Sequence, residues 1–313
     1  MSAEFDFSIV LETENLATAD LQGLVRSLAS LANQDPSPIK AREVLLIESG
    51  DIPADLLMRL TEQYPWVKVC SAPLGTGYYE SKMLGAKLAT GEIVVYYDSD
   101  CLYESGWLRK ILAPFTYSEE IQVVAGETTT NGVGFYGTAM ALGYIFPQYS
   151  GRSGLTPGKH YFLNNVAFRR SFLLAYPIPI DLPLYRGNCA IHAHELIQSG
   201  TIIWQQPKAR ALHAPPNGLS HFFWRFLLIG HDYYWQKKLI PTSTNAEPTM
   251  TGKKGKFGIF IDRISKMVDR DFRHAYFLLF SLPIVILSSL LIYVGYVITS
   301  RQPNYLLKTY NKL

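Results

Sequence analysis

Two carboxylates separated by one serine, Asp98 and Asp100, close the stretch EIVVYYDSD that runs from Glu92 to Asp100. Ile93 to Tyr97 are consecutive β-formers and read as a buried strand, so the acids fall where that strand has to end. Spacing alone leaves two readings open. Asp-rich turns commonly follow strands and need no ligand. Alternatively, two like charges this close hold something positive, and hard divalent cations favour carboxylate oxygen.

The elements upstream decide what such a pair would face. FSIVL (Phe7 to Leu11), EVLLIE (Glu43 to Glu48) and VKVC (Val67 to Cys70) read as strands. Between them Leu21, Leu24, Val25, Leu28 and Leu31 repeat at helical spacing, with Thr18 or Asp20 available as N-cap, and Leu56, Leu57 and Leu60 mark a second helix. Tyr79 to Leu88 reads as a third. Strands alternating with helices imply right-handed crossovers and a mostly parallel sheet. Ligands of such sheets bind beyond the carboxyl ends of the strands. Glu12, Glu14 and Asn15 follow the first strand, Glu48 ends the second, and Asp98 and Asp100 end the fourth. Polar groups from three strands thus converge on one edge, which favours a binding site over a plain loop.

With that edge in view, GTGYYESKMLGAKLATGEIVVYYDSD (Gly75 to Asp100) resembles the nucleotide-sugar half of family 2 glycosyltransferases of the GT-A fold. In that family a Gly-containing loop, an Ala-Arg-Asn-x-Gly helix, an Ala-x-Gly-Glu turn and a strand lead into Asp-x-Asp. Here Gly85, Ala89, Gly91 and Glu92 match, while Lys82 stands at the Arg position and Met83 at the Asn position. The resemblance covers roughly Phe7 to His213. It implies a nucleotide-sugar donor and a divalent metal, Mg²⁺ or Mn²⁺, that stabilises the departing diphosphate. By resemblance Asp98 faces ribose and metal, Asp100 coordinates directly, and Glu48 accepts from the nucleobase where the family has Asp. Glu12, Asn15 and Lys82 join Glu48 and Asp98 on the donor side. NNVAFRR (Asn164 to Arg170) is similar to the segment lining the donor sugar, bringing in Asn164 and Asn165; Arg169 and Arg170 read equally as solvated charges. ARALHAPP resembles the late strand whose histidine completes the metal shell, pointing to His213. Trp224 and Arg225 lie where relatives have an acceptor or gating loop, and aromatic packing explains them equally well.

One departure concerns the general base. The family's Gly-Glu-Asp falls here on Gly187, Asn188 and Cys189, and neither carboxylate is present. Asn188 cannot take a proton and Cys189 is a poor oxygen base. His192, His194 and Glu195 are the nearest substitutes. On a helix His192 and Glu195 share a face at i, i+3, so catalytic roles are expected for these two alongside Asp98 and Asp100. An acceptor phosphate, already ionised, would need no base.

Composition limits the rest. Of 313 residues 48% are hydrophobic and 18% charged, and the net charge of +3 with no nucleic-acid motif argues against a nucleic-acid partner. Cys70, Cys101 and Cys189 are scattered, as expected of reduced thiols in the cytosol. The N-terminal MSAEFDFSIV lacks the features of a signal peptide. From Ala275 to Ser300 no side chain is charged, about 26 residues where about 20 cross a bilayer core. Before it Phe260, Ile261, Ile264, Met267, Val268 and Phe272 make one apolar helical face, which either packs on the domain or, directly before a membrane span, belongs to an amphipathic, interfacial helix.

The expected organisation is a nucleotide-sugar half (1–125), an acceptor half (126–240), a linker with the interfacial helix (241–274), a single transmembrane helix (275–300) and a tail (301–313). The resemblance implies a membrane-anchored glycosyltransferase, its catalytic domain cytoplasmic, acting on a lipid-linked or glycan acceptor. A non-catalytic nucleotide-sugar or glycan-binding module that has lost its base is the alternative. A nucleotidyltransferase ranks last, since LETENLATAD has no Gly-rich basic loop.

Overall fold

A computed structural model describes residues 5–14, 21–130, 132, 134–240 and 256–310. Asn15, the N-cap candidates Thr18 and Asp20, and the polar segment 241–255 lie outside the described residues. By internal contacts the chain divides into two units, one of residues 1–128, 150–180 and 195–213, the other of 129–149, 181–194 and 214–313.

The first unit opens as the hydrophobic pattern requires: β1 (Phe7–Glu12), α1 (Leu21–Ala32), β2 (Val44–Glu48), α2 (Ala54–Gln63), β3 (Val67–Ser71), α3 (Tyr78–Leu88) and β4 (Ile93–Tyr97). Then follow β5 (Cys101–Tyr103), α4 (Trp107–Leu112), β6 (Val123–Thr130), β7 (Thr156–Gly158), β8 (Asn165–Arg169), α6 (Arg170–Ala175) and β9 (Ile203–His213). The sheet order is β3-β2-β1-β4-β8-β6-β9-β5, with β7 pairing with β9. The nucleotide-binding half, β3-β2-β1-β4, is parallel as expected. Beyond β4, β8 runs antiparallel to β4 and to β6, and β9 antiparallel to β5 and to β7. Leu24, Leu28 and Leu31 of α1 are buried in one core with Ile9, Leu11, Leu46 and Val95, so the helical spacing marked the face that packs.

The strand order runs outward from β1 to β2 and β3 on one side and to β4 on the other. Crossovers therefore part between β1 and β4, the switch point at which open α/β sheets bind ligands. Glu12, Glu48 and Asp98 all stand at this carboxyl edge, with Glu48 paired in register to Ser71 at the end of β3. At the opposite edge Gly91 lets the chain turn into β4. A Cβ there would lie 2.5 Å from the Phe7 carbonyl carbon, and the Gly91 N–H donates to Ser8 Oγ at 2.9 Å.

The second unit is helical. It contains α5 (Gly134–Gly143), α8 (Gly218–Leu239), α9 (Lys256–Arg270), α10 (Arg273–Arg301) and α11 (Tyr305–Tyr310), while α7 (Asn188–Gln198) begins in this unit and ends in the first. Helix α10 is 29 residues long and apolar enough to cross a membrane. Part of the apolar face of α9 packs within the unit: Met267, Phe260 and Ile264 lie against Ala141, Leu142, Leu278 and Val285. Arg263 on the same helix donates to the carbonyls of Leu142 (2.7 Å) and Tyr144 (2.8 Å), capping the end of α5. Part of the face expected to rest on a membrane surface is therefore occupied by protein, while Ile261 and Phe272 of the same face are exposed.

Candidate active site

The turn after β4 is held from every side. Ser27 Oγ donates to the Asp98 carbonyl at 2.9 Å, and the Asp98 N–H donates to Tyr103 Oη at 3.0 Å. Tyr103 Oη in turn donates to the Asn164 carbonyl at 2.6 Å, and its ring stacks on Tyr97 with centroids 4.0 Å apart. Burial pushes the Tyr103 hydroxyl well above its ordinary range, so it remains a donor.

Asp98 itself faces the protein. Its carboxylate is 3% exposed, pairs with Lys82 Nζ at 2.5 Å and accepts from Tyr78 Oη at 2.9 Å. Lys82 is fully buried and donates also to the Tyr97 carbonyl at 2.5 Å. Lys82 therefore does not reach a ligand from this position, contrary to the donor-side role expected for it. It neutralises Asp98 beneath the strand end. Asp98 was expected to face the ribose and the metal, but its carboxylate is taken up by Lys82 and Tyr78.

Asp100 is different. It precedes β5, whose first residue, Cys101, is the cross-strand partner of His213 at the end of β9. That register brings Asp100 Oδ2 to 3.1 Å from His213 Nε2, both side chains partly accessible. The oxygen, the imidazole nitrogen and the Cys101 sulfur all lie within 4.8 Å of one another. Two ligand atoms in adjacent octahedral positions, each about 2.1 Å from Mg²⁺, would be about 3 Å apart. Asp100 and His213 therefore fit a hard divalent cation in donor type and in separation. Cys101 fits such an ion less well, because its sulfur is a soft donor and hard divalent cations favour oxygen; here the thiol donates to Asp100 Oδ1 at 3.5 Å.

The other expected residues are distributed as follows. Glu48 caps its own turn, accepting from the Gly50 N–H at 2.6 Å and the Ile52 N–H at 3.5 Å. Glu12 is fully buried at the end of β1. Asn164 Oδ1 accepts from Thr128 at 3.0 Å. The Asn165 amide is consumed inside the sheet, accepting from Trp107 Nε1 (2.8 Å) and donating to the carbonyls of Glu127 (3.1 Å) and Ala209 (3.0 Å). A donor-sugar contact by that side chain is corrected by these bonds. Arg169 and Arg170 are neither solvated nor at a ligand. Arg169 pairs with Glu92 and donates to the Ile121, Phe115 and Ser118 carbonyls, and Arg170 donates to Ala86 and Lys87 at the end of α3. His192 and Glu195 share α7, but His192 is 2% exposed and Glu195 lies on the exposed side. Their i, i+3 spacing does not give them a common environment. Trp224 and Arg225 lie on α8, Trp224 against the Tyr310 ring and Arg225 against Tyr144.

Tyr78, Ser27 and Tyr103 are the residues that pattern reading missed. A Tyr-Tyr pair opening a helix gives no signal of its own, and the tyrosine of CLY becomes informative only once β5 pairs with β9.

A family model described as glycosyl transferase family 2 matches residues 17–175, just over half of the 313 residues. The chain belongs to glycosyl transferase family 2. N-acetylgalactosaminyltransferase 6 of Drosophila melanogaster is 28% identical over 106 residues, 33% of this chain and 16% of that protein. Polypeptide N-acetylgalactosaminyltransferase 10 of Homo sapiens is 30% identical over 93 residues, 28% of this chain and 15% of that protein. The chain spans about one-sixth of the length of these curated relatives. Among solved structures, GalNAc-T7 with UDP, GalNAc and Mn²⁺ superposes with a TM-score of 0.54 at 17% identity, covering 78% of this chain and 46% of that one. The mannosyltransferase PcManGT from Pyrobaculum calidifontis, in complex with GDP-Man and Mn²⁺, gives 0.55 at 14% identity, covering 98% and 84%. At these identities the solved structures show the fold, and it is the GT-A fold.

Proposed function

We propose that this family 2 member is a metal-dependent glycosyltransferase that moves a sugar from a nucleotide-sugar donor to a lipid-linked or glycan acceptor. The observation that carries the reading is the convergence of Asp100 and His213 at the mouth of a parallel half-sheet whose Asp98 is already neutralised by Lys82. Two uncompensated acids at a strand end would repel a diphosphate, whereas here the buried Asp98 is matched by Lys82 and the partly accessible Asp100 lies beside an imidazole. Mg²⁺ or Mn²⁺ held by Asp100 and His213 would supply charge neutralisation of the leaving nucleoside diphosphate. The solved relatives with UDP or GDP-Man and Mn²⁺ support the same donor class and metal.

The chain's own residues have three tasks in this reading. Glu48, set back by its turn, accepts from the nucleobase edge, and Glu12 gives the floor of the site its negative charge. Lys82, Tyr78, Ser27 and Tyr103 hold the Asp98–Asp100 turn at one position, so that Asp100 meets the donor without reorganisation. At the acceptor, Asn188 and Cys189 stand where relatives carry a carboxylate. A hydroxyl acceptor would pass its proton to His192; a polyprenyl-type phosphate would need no base. Helix α10 holds the protein to a membrane, and the catalytic residues face the compartment where nucleotide sugars occur, the cytoplasm.

The missing carboxylate also favours a second reading, a module that binds nucleotide sugar or glycan without turnover. A screen of the purified chain against nucleotide sugars, with and without Mn²⁺, separates the two. A transferase releases nucleotide from at least one donor only when metal is present. Donor binding without nucleotide release under any condition would leave the binding module standing.

A further inference from the structure

Helix α10 turns two unlike faces outward and inward. Buried along it are His274, Ser281, Ser288 and Gly295, seven residues apart in turn, together with Leu291 and Thr299. On the opposite side Tyr276, Leu279, Phe280, Ile286, Leu290 and Tyr293 are all more than half exposed. A soluble domain hides its large apolar side chains and shows its small polar ones; here the order is reversed, as for a helix with protein on one side and lipid on the other.

The protein side runs the whole length of the helix. Near its start the His274 ring meets Thr138 Oγ1 at 2.7 Å, and Ser281 donates to the Phe135 carbonyl at 2.8 Å. At its middle Gly143 abuts Val285 and Ser288. Near its end a Cβ on Gly295 would lie 2.1 Å from the Leu227 carbonyl, and His231 Nδ1 meets Thr299 Oγ1 at 3.0 Å. Beyond the end, α11 returns to the same unit, where Tyr310 meets Tyr185 and Trp224.

The middle is what decides orientation. Tyr144, the residue after Gly143, accepts from Arg225 Nε at 2.7 Å through its hydroxyl and from Arg263 at 2.8 Å through its carbonyl. Two guanidinium groups therefore sit within one residue of the contact that marks the midpoint of α10. Were the helix to cross a bilayer, its 29 residues, about 43 Å long, would be centred on the hydrocarbon core. Arg225 and Arg263 would then be drawn into that core, where charged groups are costly.

Resting on the membrane-attached reading given above, we infer that α10 does not cross the bilayer but lies along one leaflet, its Tyr276–Tyr293 face in the acyl boundary and its Ser–Gly seam on α5 and α8. Tyrosines suit that depth, and the exposed Arg273, Arg301 and Lys308 at the ends of the helix fit the headgroups of an anionic leaflet. The single-pass topology expected from length and hydropathy is replaced by a monotopic one, with both ends of α10 on the same side.

The test uses the full chain reconstituted into vesicles of phosphatidylcholine and phosphatidylglycerol and recovered by flotation. Reactive cysteines are placed by Arg273→Cys and Arg301→Cys after Cys70→Ser and Cys189→Ser, with the buried Cys101 kept and the double-serine background as the control, and labelled with a membrane-impermeant maleimide before and after detergent. A helix in the plane gives equal labelled fractions at 273 and 301, whatever the orientation of the vesicles. Complementary fractions, one end reacting only where the other is protected, would overturn the inference and leave membrane attachment intact. Failure to float with these vesicles would instead overturn attachment itself. Should the double-serine background fold poorly, nitroxide depth at Tyr276→Cys, Ile286→Cys and Tyr293→Cys on otherwise native chain gives the same decision. Equal shallow depths are expected, and a maximum at Ile286 with shallow ends would contradict them.

Discussion

Replacing Lys82 by methionine separates a structural role from a ligand-binding one. Methionine keeps most of the length and apolar volume of the stem, so the change removes the ammonium with little cavity. What remains is the Asp98 carboxylate, 3% exposed, with the Tyr78 hydroxyl as a neutral donor in place of a cation at 2.5 Å. Removing one partner of a buried pair costs about 3–5 kcal/mol, against a total stability of about 5–15 kcal/mol for a typical domain. The Tyr97 carbonyl loses its Nζ donor as well, about 1 kcal/mol more. Lys82→Met is therefore expected to lose about 4 kcal/mol in urea unfolding followed by tyrosine and tryptophan fluorescence. Adding Asp98→Asn should recover much of the loss, since no buried charge is then stranded. A loss below about 1 kcal/mol, together with a large increase in the dissociation constant for nucleotide sugar, would refute this placement and return Lys82 to the donor site.

Two further outcomes follow from buried groups in the helical unit and on α7. Asp232 accepts from the Tyr185 and Arg186 N–H groups at 2.6 and 2.9 Å, yet burial still pushes its carboxyl up from 3.8 to about 6. A raised folded pKa means the native state holds more protons between the two values, so this group's contribution to stability falls as pH rises from about 4 to about 6. In Asp232→Asn the slope of unfolding free energy against pH in that window should rise by about 1 kcal/mol per pH unit relative to wild type; identical slopes would contradict the burial term. His192→Ala should leave donor binding unchanged, lowering turnover about 10²–10⁴-fold with a hydroxyl acceptor and barely at all with a lipid phosphate. A large loss of donor affinity would place His192 in the nucleotide site instead.

The parallel half of the fold was legible because its signals are local. Leucines at helical spacing and runs of β-formers mark α1, β1, β2 and β4 within a residue or so of where they lie. Asp100 and His213 were legible through a resemblance, but their meeting depends on β5 pairing with β9 across more than one hundred residues, which no local pattern encodes. Asn165, Arg169 and Arg170 misled for the same reason. Polar residues at the end of a strand look like ligand groups until the carbonyls that consume them are brought in by β6, β9 and α3. The hydropathy of α10 shows its length and apolar character but not which neighbours carry arginine, since Arg225 and Arg263 come beside it only through the packing of α5.

The metal site is tested most directly by Mn²⁺ binding, followed by electron paramagnetic resonance in the presence of nucleoside diphosphate, in wild type, Asp100→Ala and His213→Ala. Wild type should bind one equivalent of Mn²⁺ and show metal-dependent release of nucleotide from its donor. Asp100→Ala should lose both, and His213→Ala should bind the metal more weakly, because these two side chains meet at the end of β5 and β9. Unchanged Mn²⁺ affinity and turnover in Asp100→Ala would contradict the assignment.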